Sequence, residues 1–184
     1  TTKGALMSKD ISSLQAIYKG WDTYQASIVN TIAPLSSEQL AWRPAPHLRS
    51  AGEIASHIAD GRIHWFHHFM GEGTSELASL LADGQPEDTI ATNASELIKW
   101  LEISWQLVAN SLSRWTVTDL THIYHHSDEG KNYAVPRQWV VEHIFAHDLH
   151  HGGELALTLG MQGIPIPELG DNFGQPALPL AEPD

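Results

Sequence analysis

Apolar residues return every three or four positions through four long stretches of this chain. That rhythm restricts it to helices that each bury one face. The first stretch runs from about Asp10 to Ile32, where Ile11, Leu14, Tyr18, Trp21, Gln25, Ile28 and Ile32 share a face. Pro34 ends it, since proline cannot continue the backbone ladder, and residues 35–48, with Pro44 and Pro46, read as a connector. Ser50-Ala51-Gly52-Glu53 is a capping-box signature that opens a second helix. Its stripe is Ile54, Ile58, Trp65 and Phe69, and Gly71-Glu72-Gly73 stops it after Met70. Ser75 to Leu81 reads as a short helix closed by Asp83-Gly84 and Pro86. Asn93 and Glu96 repeat the capping spacing and open a third helix to about Leu112. Its inner face is Leu97, Trp100, Leu101, Ser104, Leu107, Val108 and Leu112. Between Trp115 and Tyr133 the rhythm lapses. Thr121 to His125 predicts a strand and Asp128-Glu129-Gly130-Lys131 a turn, together a hairpin or an ordered loop. The last helix starts near Pro136 and runs to about Leu159, with Gly160 and Gly163 as stop signals. From Ile164 onward, Pro165, Pro167, Pro176, Pro179 and Pro183 predict an extended tail.

Four amphipathic helices with an excursion before the last predict an all-α four-helix bundle. The 184 residues suit a single domain, 1–184, with a core over about 10–163 and a proline-rich tail over 164–184. Ten Lys and Arg against 22 Asp and Glu give a formal charge of −12. Such a surface argues against tracking a phosphate backbone or an anionic bilayer, and so against an anionic polymer as substrate. Cysteine is absent, which removes disulfides, thiolate ligands and Cys nucleophiles. No apolar run approaches a membrane span, and Thr1 to Asp10 holds no apolar signal core. The expectation is a soluble cytoplasmic domain.

Twelve histidines outnumber the ten Lys and Arg together. On the last helix, His143, His147, His150, His151 and Glu154 fall within an arc of about 100°. On the second, His57, His64 and His68 fall within roughly 40°. His147 and His151 are four apart, so their rings stack one turn above the other and can reach one ion. A third histidine from a facing helix would complete a three-ligand set and leave the fourth position for water or substrate. The same spacing also suits surface histidines, or core histidines satisfied by carbonyls. His67 and His68 are adjacent and cannot both face inward. His125 and His126 are expected at the exposed hairpin, and His47 has no assigned role.

Leu40-Ala41-Trp42-Arg43-Pro44 and the segment Ser50 to Asp60, centred on His57, resemble the second-helix region of the DinB/YfiT-like superfamily. Trp139 to Glu154, with His143, His147, Asp148, His150 and His151, resembles its fourth-helix signature, and Gly160 to Pro167 the closure that follows it. The resemblance spans about Leu35 to Pro167 and implies a DinB-like bundle in which three histidines bind a divalent ion, zinc or nickel. His57, His147 and His151 match the ligands. His143 and His150 become neighbours of the site, and His64 and His68 pocket lining. Two positions depart from the pattern. His151-Gly152-Gly153-Glu154 stands where relatives often carry His-Arg-Gly-Gln, and Asp148 where they often carry Glu. Glu154 could orient a ligand histidine, approach the ion or be solvated. The His147-Asp148-x-x-His151 spacing invites comparison with the His-Glu-x-x-His zinc motif. Asp is one methylene shorter, and the context is not that of a zinc protease. A di-iron bundle is excluded by the lack of the required Glu-x-x-His pairs.

The resemblance implies a metalloenzyme class with thiol S-transferases and isomerases among its members. The expected activity is therefore a metal-dependent transferase that activates a low-molecular-weight thiol, or water. Asp148, Glu154 or His64 would shuttle the proton or support the ligand histidines from behind. A metal-dependent hydrolase is the first alternative, and a non-catalytic metal- or small-ligand-binding bundle the second. Partners would be a small-molecule substrate and a thiol cosubstrate. Relatives also pair as homodimers, which the resemblance implies here, and seven Trp could furnish an apolar face; Trp42 and Trp139 could equally be core, the expected place for most of the seven.

Overall fold

The structure, a computed structural model, describes residues 14–82 and 91–166. Its first long element is α1 (Leu14–Ile17) followed by α2 (Lys19–Ile32). The periodicity predicted one helix here. Instead the bond from Trp21 N to Tyr18 O, three residues back at 2.9 Å, tightens the chain at Tyr18. Leu14, Trp21, Gln25, Ile28 and Ile32 are buried as the stripe predicted, while Asp10 and Ile11 lie outside the described residues. The connector is not plain loop, since it contains α3 (Ser37–Ala41). Ser36 caps it by accepting from Gln39 N at 3.2 Å, and Gln39 Oε1 accepts from Ser36 N at 2.9 Å.

The predicted Ser50 box is present. Ser50 Oγ accepts from Glu53 N at 3.2 Å, and Glu53 Oε2 accepts from Ser50 N at 2.7 Å. It opens α4 (Ala51–Arg62), which runs without a break into a π-helical stretch, Ile63–Phe69. The wider i to i+5 turn changes the rotation per residue. Inward positions pass to Arg62, Ile63, Phe66 and Met70, while Trp65 and Phe69 of the predicted stripe are half-buried.

After α5 (Ser75–Ala82), the predicted stop at Asp83-Gly84 and Pro86 lies outside the described residues. Helix α6 (Ala94–Arg114) is capped by Asn93, which accepts from Glu96 N at 3.2 Å. Glu96 turns instead to Lys99, at 3.4 Å. Every residue of the predicted α6 stripe is buried. A 3₁₀ turn, Thr118–Thr121, takes the start of the predicted strand. The hairpin is β1 (Ile123–Asp128) antiparallel to β2 (Lys131–Pro136), with Tyr124 opposite Val135. Its two turn residues, Glu129 and Gly130, have φ of 45° and 76°, the left-handed pair that matches strand twist in a tight hairpin.

Helix α7 (Arg137–Met161) follows at once, with Pro136 as its N-terminal flank rather than its first turn. Arg137 ties hairpin to helix. Its guanidinium lies 4.3 Å over the Trp115 ring and donates to Tyr124 Oη at 2.7 Å. One core cluster gathers Ile28, Ile58, Leu97, Leu101 and Leu155, and a second gathers Trp21, Phe66, Trp105, Trp115 and Ile144. Ile164 and Ile166 of the tail pack against the first, and the tail from residue 167 lies outside the described residues. Trp42 and Trp139 are not core. They are 36% and 45% exposed. Among the described residues no helix is long and apolar enough to cross a membrane.

Candidate metal centre

Helix α4 packs against α7, and the contact brings His57 to His147 and His151. One ring nitrogen from each of the three lies within 4.8 Å of the others. His57 Nε2 and His147 Nε2 are 3.3 Å apart. Two nitrogens on one tetrahedral zinc are separated by about 3.3–3.4 Å, given Zn–N bonds of roughly 2.0–2.1 Å. Ring centroids lie 4.9 Å apart for His57–His147, 4.6 Å for His57–His151 and 4.4 Å for His147–His151. Donor type and number therefore suit a divalent ion, and the His57–His147 separation matches that tetrahedral edge.

The His147 ring depends on a missing side chain for its place. A Cβ at Gly61 would lie 2.6 Å from His147 Cε1, so the ring occupies the space a larger residue would fill. One residue past His151, a Cβ at Gly152 would lie 1.7 Å from Tyr24 Oη. The side chain expected at that position in relatives has no room here, because Tyr24 stands in it.

The outer nitrogens of two rings face carboxylates. Glu154 Oε2 accepts from His151 Nδ1 at 2.6 Å, which leaves His151 Nε2 for an ion. Burial pushes the Glu154 carboxyl up, but the His151 hydrogen bond, with the charges of His151, His150 and Arg49, outweighs it and holds the group below its usual value. Behind His147 stands Asp148, fully buried. Its Oδ2 accepts from Trp21 Nε1 at 2.7 Å and from Arg62 Nε at 2.8 Å. Arg62, also fully buried, donates onward to Gln25 Oε1 at 2.6 Å. Asp148 Oδ1 and His147 Nδ1 are buried without a hydrogen-bond partner and lie 3.7 Å apart. A proton on Nδ1 points toward that oxygen when Nε2 serves as the ligand.

Desolvation dominates the electrostatics of the cluster. Burial lowers His57 to about 4, assisted by Arg49, His151 and His147. Burial also lowers His151, against the pull of Glu154. Rings kept neutral are rings available as ligands.

The other sequence candidates divide. Asp148 does not line an open site as a proton shuttle should. It is a sealed counter-ion for Arg62, because Trp21 and Arg62 enclose it. His64 is exposed, edge-on to Trp65 at 5.5 Å, and is absent from the ligand groups. The π-helical turn that begins at Ile63 carries it off the phase expected from His57. His68 is exposed beside His67, at 5.1 Å. His143 stacks on Trp139 at 4.6 Å, meets Trp65 at 5.1 Å and approaches His147 at 6.4 Å. An apolar wall thus leads from the hairpin side to the cluster. His150 is exposed and reaches Glu154 Oε1 at 3.4 Å, forming with His151 and Glu154 a second, overlapping donor group. Sequence reasoning missed Gly61, Arg62, Trp21, Tyr24 and Arg49 as parts of the site. A cation four residues past Ile58 on an apolar face was the available signal for Arg62.

The sequence profile of the DinB superfamily matches residues 21–155. No curated protein sequence matches the chain. Among solved structures, the fold is similar to a DinB-like protein from Bacillus cereus ATCC 10987. The TM-score is 0.65 and identity 20%, over 85% of this chain and 97% of that one. It is also similar to a DinB-like protein from Bacillus subtilis, with TM-score 0.56 and identity 18%, over 82% and 93% of the two chains.

Proposed function

The chain belongs to the DinB superfamily, and on that premise we propose that it is a divalent-metal-dependent enzyme whose ion is held by His57, His147 and His151. The observation that carries the reading is convergence with support. Three imidazole nitrogens from two helices lie within 4.8 Å, and two of the rings turn their far nitrogen toward a carboxylate. When bound, zinc or nickel at three protein ligands supplies an open position at which a thiol or water ionises near neutral pH. A low-molecular-weight thiol is the favoured nucleophile and transfer of an S-linked group the favoured reaction. With no Cys in the chain, the sulfur comes from a cosubstrate.

The chain's own residues have separate tasks in this reading. Asp148, fixed by Arg62 and Trp21, holds the His147 ring in one tautomer. Glu154 does the same for His151 through Nδ1. Glu154 keeps a 42% exposed side chain and is the group placed to take up a proton at Oε1, next to His150. The wall of Trp65, Trp139 and His143 offers an apolar surface for the non-polar part of a substrate.

Metal content decides the matter. Wild type purified without chelator and without a histidine tag is expected to carry close to one equivalent of zinc or nickel, and His151→Ala to lose it. Failure of wild type to take up added divalent ions removes the three-histidine reading. A reaction rate that needs no added thiol moves the assignment from transferase to hydrolase.

A further inference from the structure

The connector between α3 and α4 brings one unengaged cation to the edge of the histidine cluster. Four of the five arginines are occupied. Arg43 pairs with Glu53 and donates to Leu48 O at 2.7 Å, Arg62 pairs with Asp148, Arg114 with Glu72, and Arg137 holds Tyr124 Oη. Arg49 forms no ion pair within 4.0 Å among the described residues and no hydrogen bond from its side chain. Its place is nevertheless fixed. Arg43 ties down the carbonyl of Leu48 just before it, and Ser50 just after it is the N-cap of α4.

Arg49 lines a cavity of about 310 Å³ together with His57, Ser56 and Asp60. It also lines the adjoining hollow that reaches Glu154 and Met161. Its charge acts on both His57 and Glu154. Glu154 is already engaged by His151 and His150, and no hydrogen bond or ion pair joins it to Arg49 among the described residues. Arg49 stands on a chain of formal charge −12, whose general field turns anions away. The same cavity is lined by the Arg43–Glu53 ion pair, whose charges offset each other, and by Asp60, so Arg49 is the cation there that no ion pair among the described residues takes up. A guanidinium presents parallel N–H donors that match a carboxylate.

We propose that Arg49 receives a carboxylate of the small-molecule substrate whose other end reaches the histidine cluster, making Arg49 a specificity determinant. This inference rests on the reading of His57, His147 and His151 as ligands of an ion with an open position. It does not depend on whether the nucleophile is thiol or water.

The test uses cobalt(II) in the intact protein and two probes that share a metal-binding ring, imidazole-4-acetate and 4-methylimidazole. Both are titrated near neutral to mildly basic pH, with binding read from the visible cobalt spectrum. Wild type is expected to favour the carboxylate probe by roughly tenfold, the scale of one charge-assisted hydrogen-bonded contact. Arg49→Gln should abolish the preference and Arg49→Lys should keep part of it, both read as the ratio of the two probes' affinities on cobalt-loaded protein. Equal preference in wild type and Arg49→Gln, or equal loss of both probes, overturns the proposal while leaving the metal reading intact. A wild type that takes up no cobalt overturns the metal reading and this inference with it.

Discussion

Asp148 and Arg62 are both without solvent exposure, one on α7 and the other on α4, and they form an ion pair at 2.8 Å. Removing one partner of such a pair strands a charge in a low dielectric, which costs about 3–5 kcal/mol. Asp148→Ala is expected to lower the unfolding free energy by that amount in urea titrations. A loss under about 1 kcal/mol would mean that water reaches Arg62. Gly61 has the opposite character. Ala in place of Gly favours the helix by about 1 kcal/mol, yet its Cβ would stand 2.6 Å from the His147 ring. Gly61→Ala should therefore leave the urea midpoint unchanged or slightly raised while weakening zinc affinity at least about tenfold, the scale seen when ligand orientation is lost. Unchanged zinc affinity would show that His147 has room to move. At this scale the sequence was half legible. Histidines at i and i+4 announce themselves, as His147 and His151 do. The partners that hold them do not, because Asp148 meets Arg62 across 86 positions and Trp21 across 127.

At the scale of the element, helix starts were the most readable feature, because a cap is a local hydrogen-bond requirement met within four residues. Ser50 and Asn93 were found that way. Ser36 and Gln39 carry the same signature, obscured by the prolines that follow. Ser50→Ala is expected to cost about 1 kcal/mol, and acid should remove the contribution of its companion. Burial raises the Glu53 carboxyl, but Ser50 N–H and Arg43 together hold it below 4.5. A carboxyl lowered in the folded state stabilises it above the unfolded value, and that stability disappears as pH falls through the folded value. The melting temperatures of wild type and Glu53→Gln should thus differ at pH 6, with the gap narrowing as pH falls below the unfolded value of about 4.3. A constant gap down to pH 3 would show that the carboxylate charge has no part in the cap. The π-helical stretch Ile63–Phe69 was not legible. Extrapolating 100° per residue through it placed His64 beside His57, whereas the wider turn sends His64 to solvent and brings Phe66 inward. Nothing in the residues Ile63 to Phe69 taken alone distinguishes the two turns. The choice lies in how α4 meets its neighbours.

For the whole molecule, periodicity sufficed to count four long helices and to expect a bundle, because each amphipathic face needs partners. Rotation of each helix about its axis was not available from periodicity. That rotation decides whether two histidine-bearing stripes face each other or point apart. In the structure, the stripes of α4 and α7 meet, so an ion at His57, His147 and His151 would bridge two helices that the chain separates by α5, α6 and the hairpin. Binding to the folded state and not to the unfolded chain stabilises the fold by mass action, about 2.7 kcal/mol at a free ion concentration of 100 times Kd. In a domain of this size each kcal/mol moves the midpoint by about 2–4 °C. Zinc should therefore raise the melting temperature of the chelator-stripped protein by roughly 5–10 °C. A chelator should reverse the gain, and His151→Ala should show none of it. The exposed alternative of His150 with Glu154 predicts something else, since those residues sit within one turn of α7 and cross-link nothing. His57→Ala separates the two. If the ion spans α4 and α7, that variant loses the thermal shift as completely as His151→Ala does, and if the ion sits on α7 alone the shift survives.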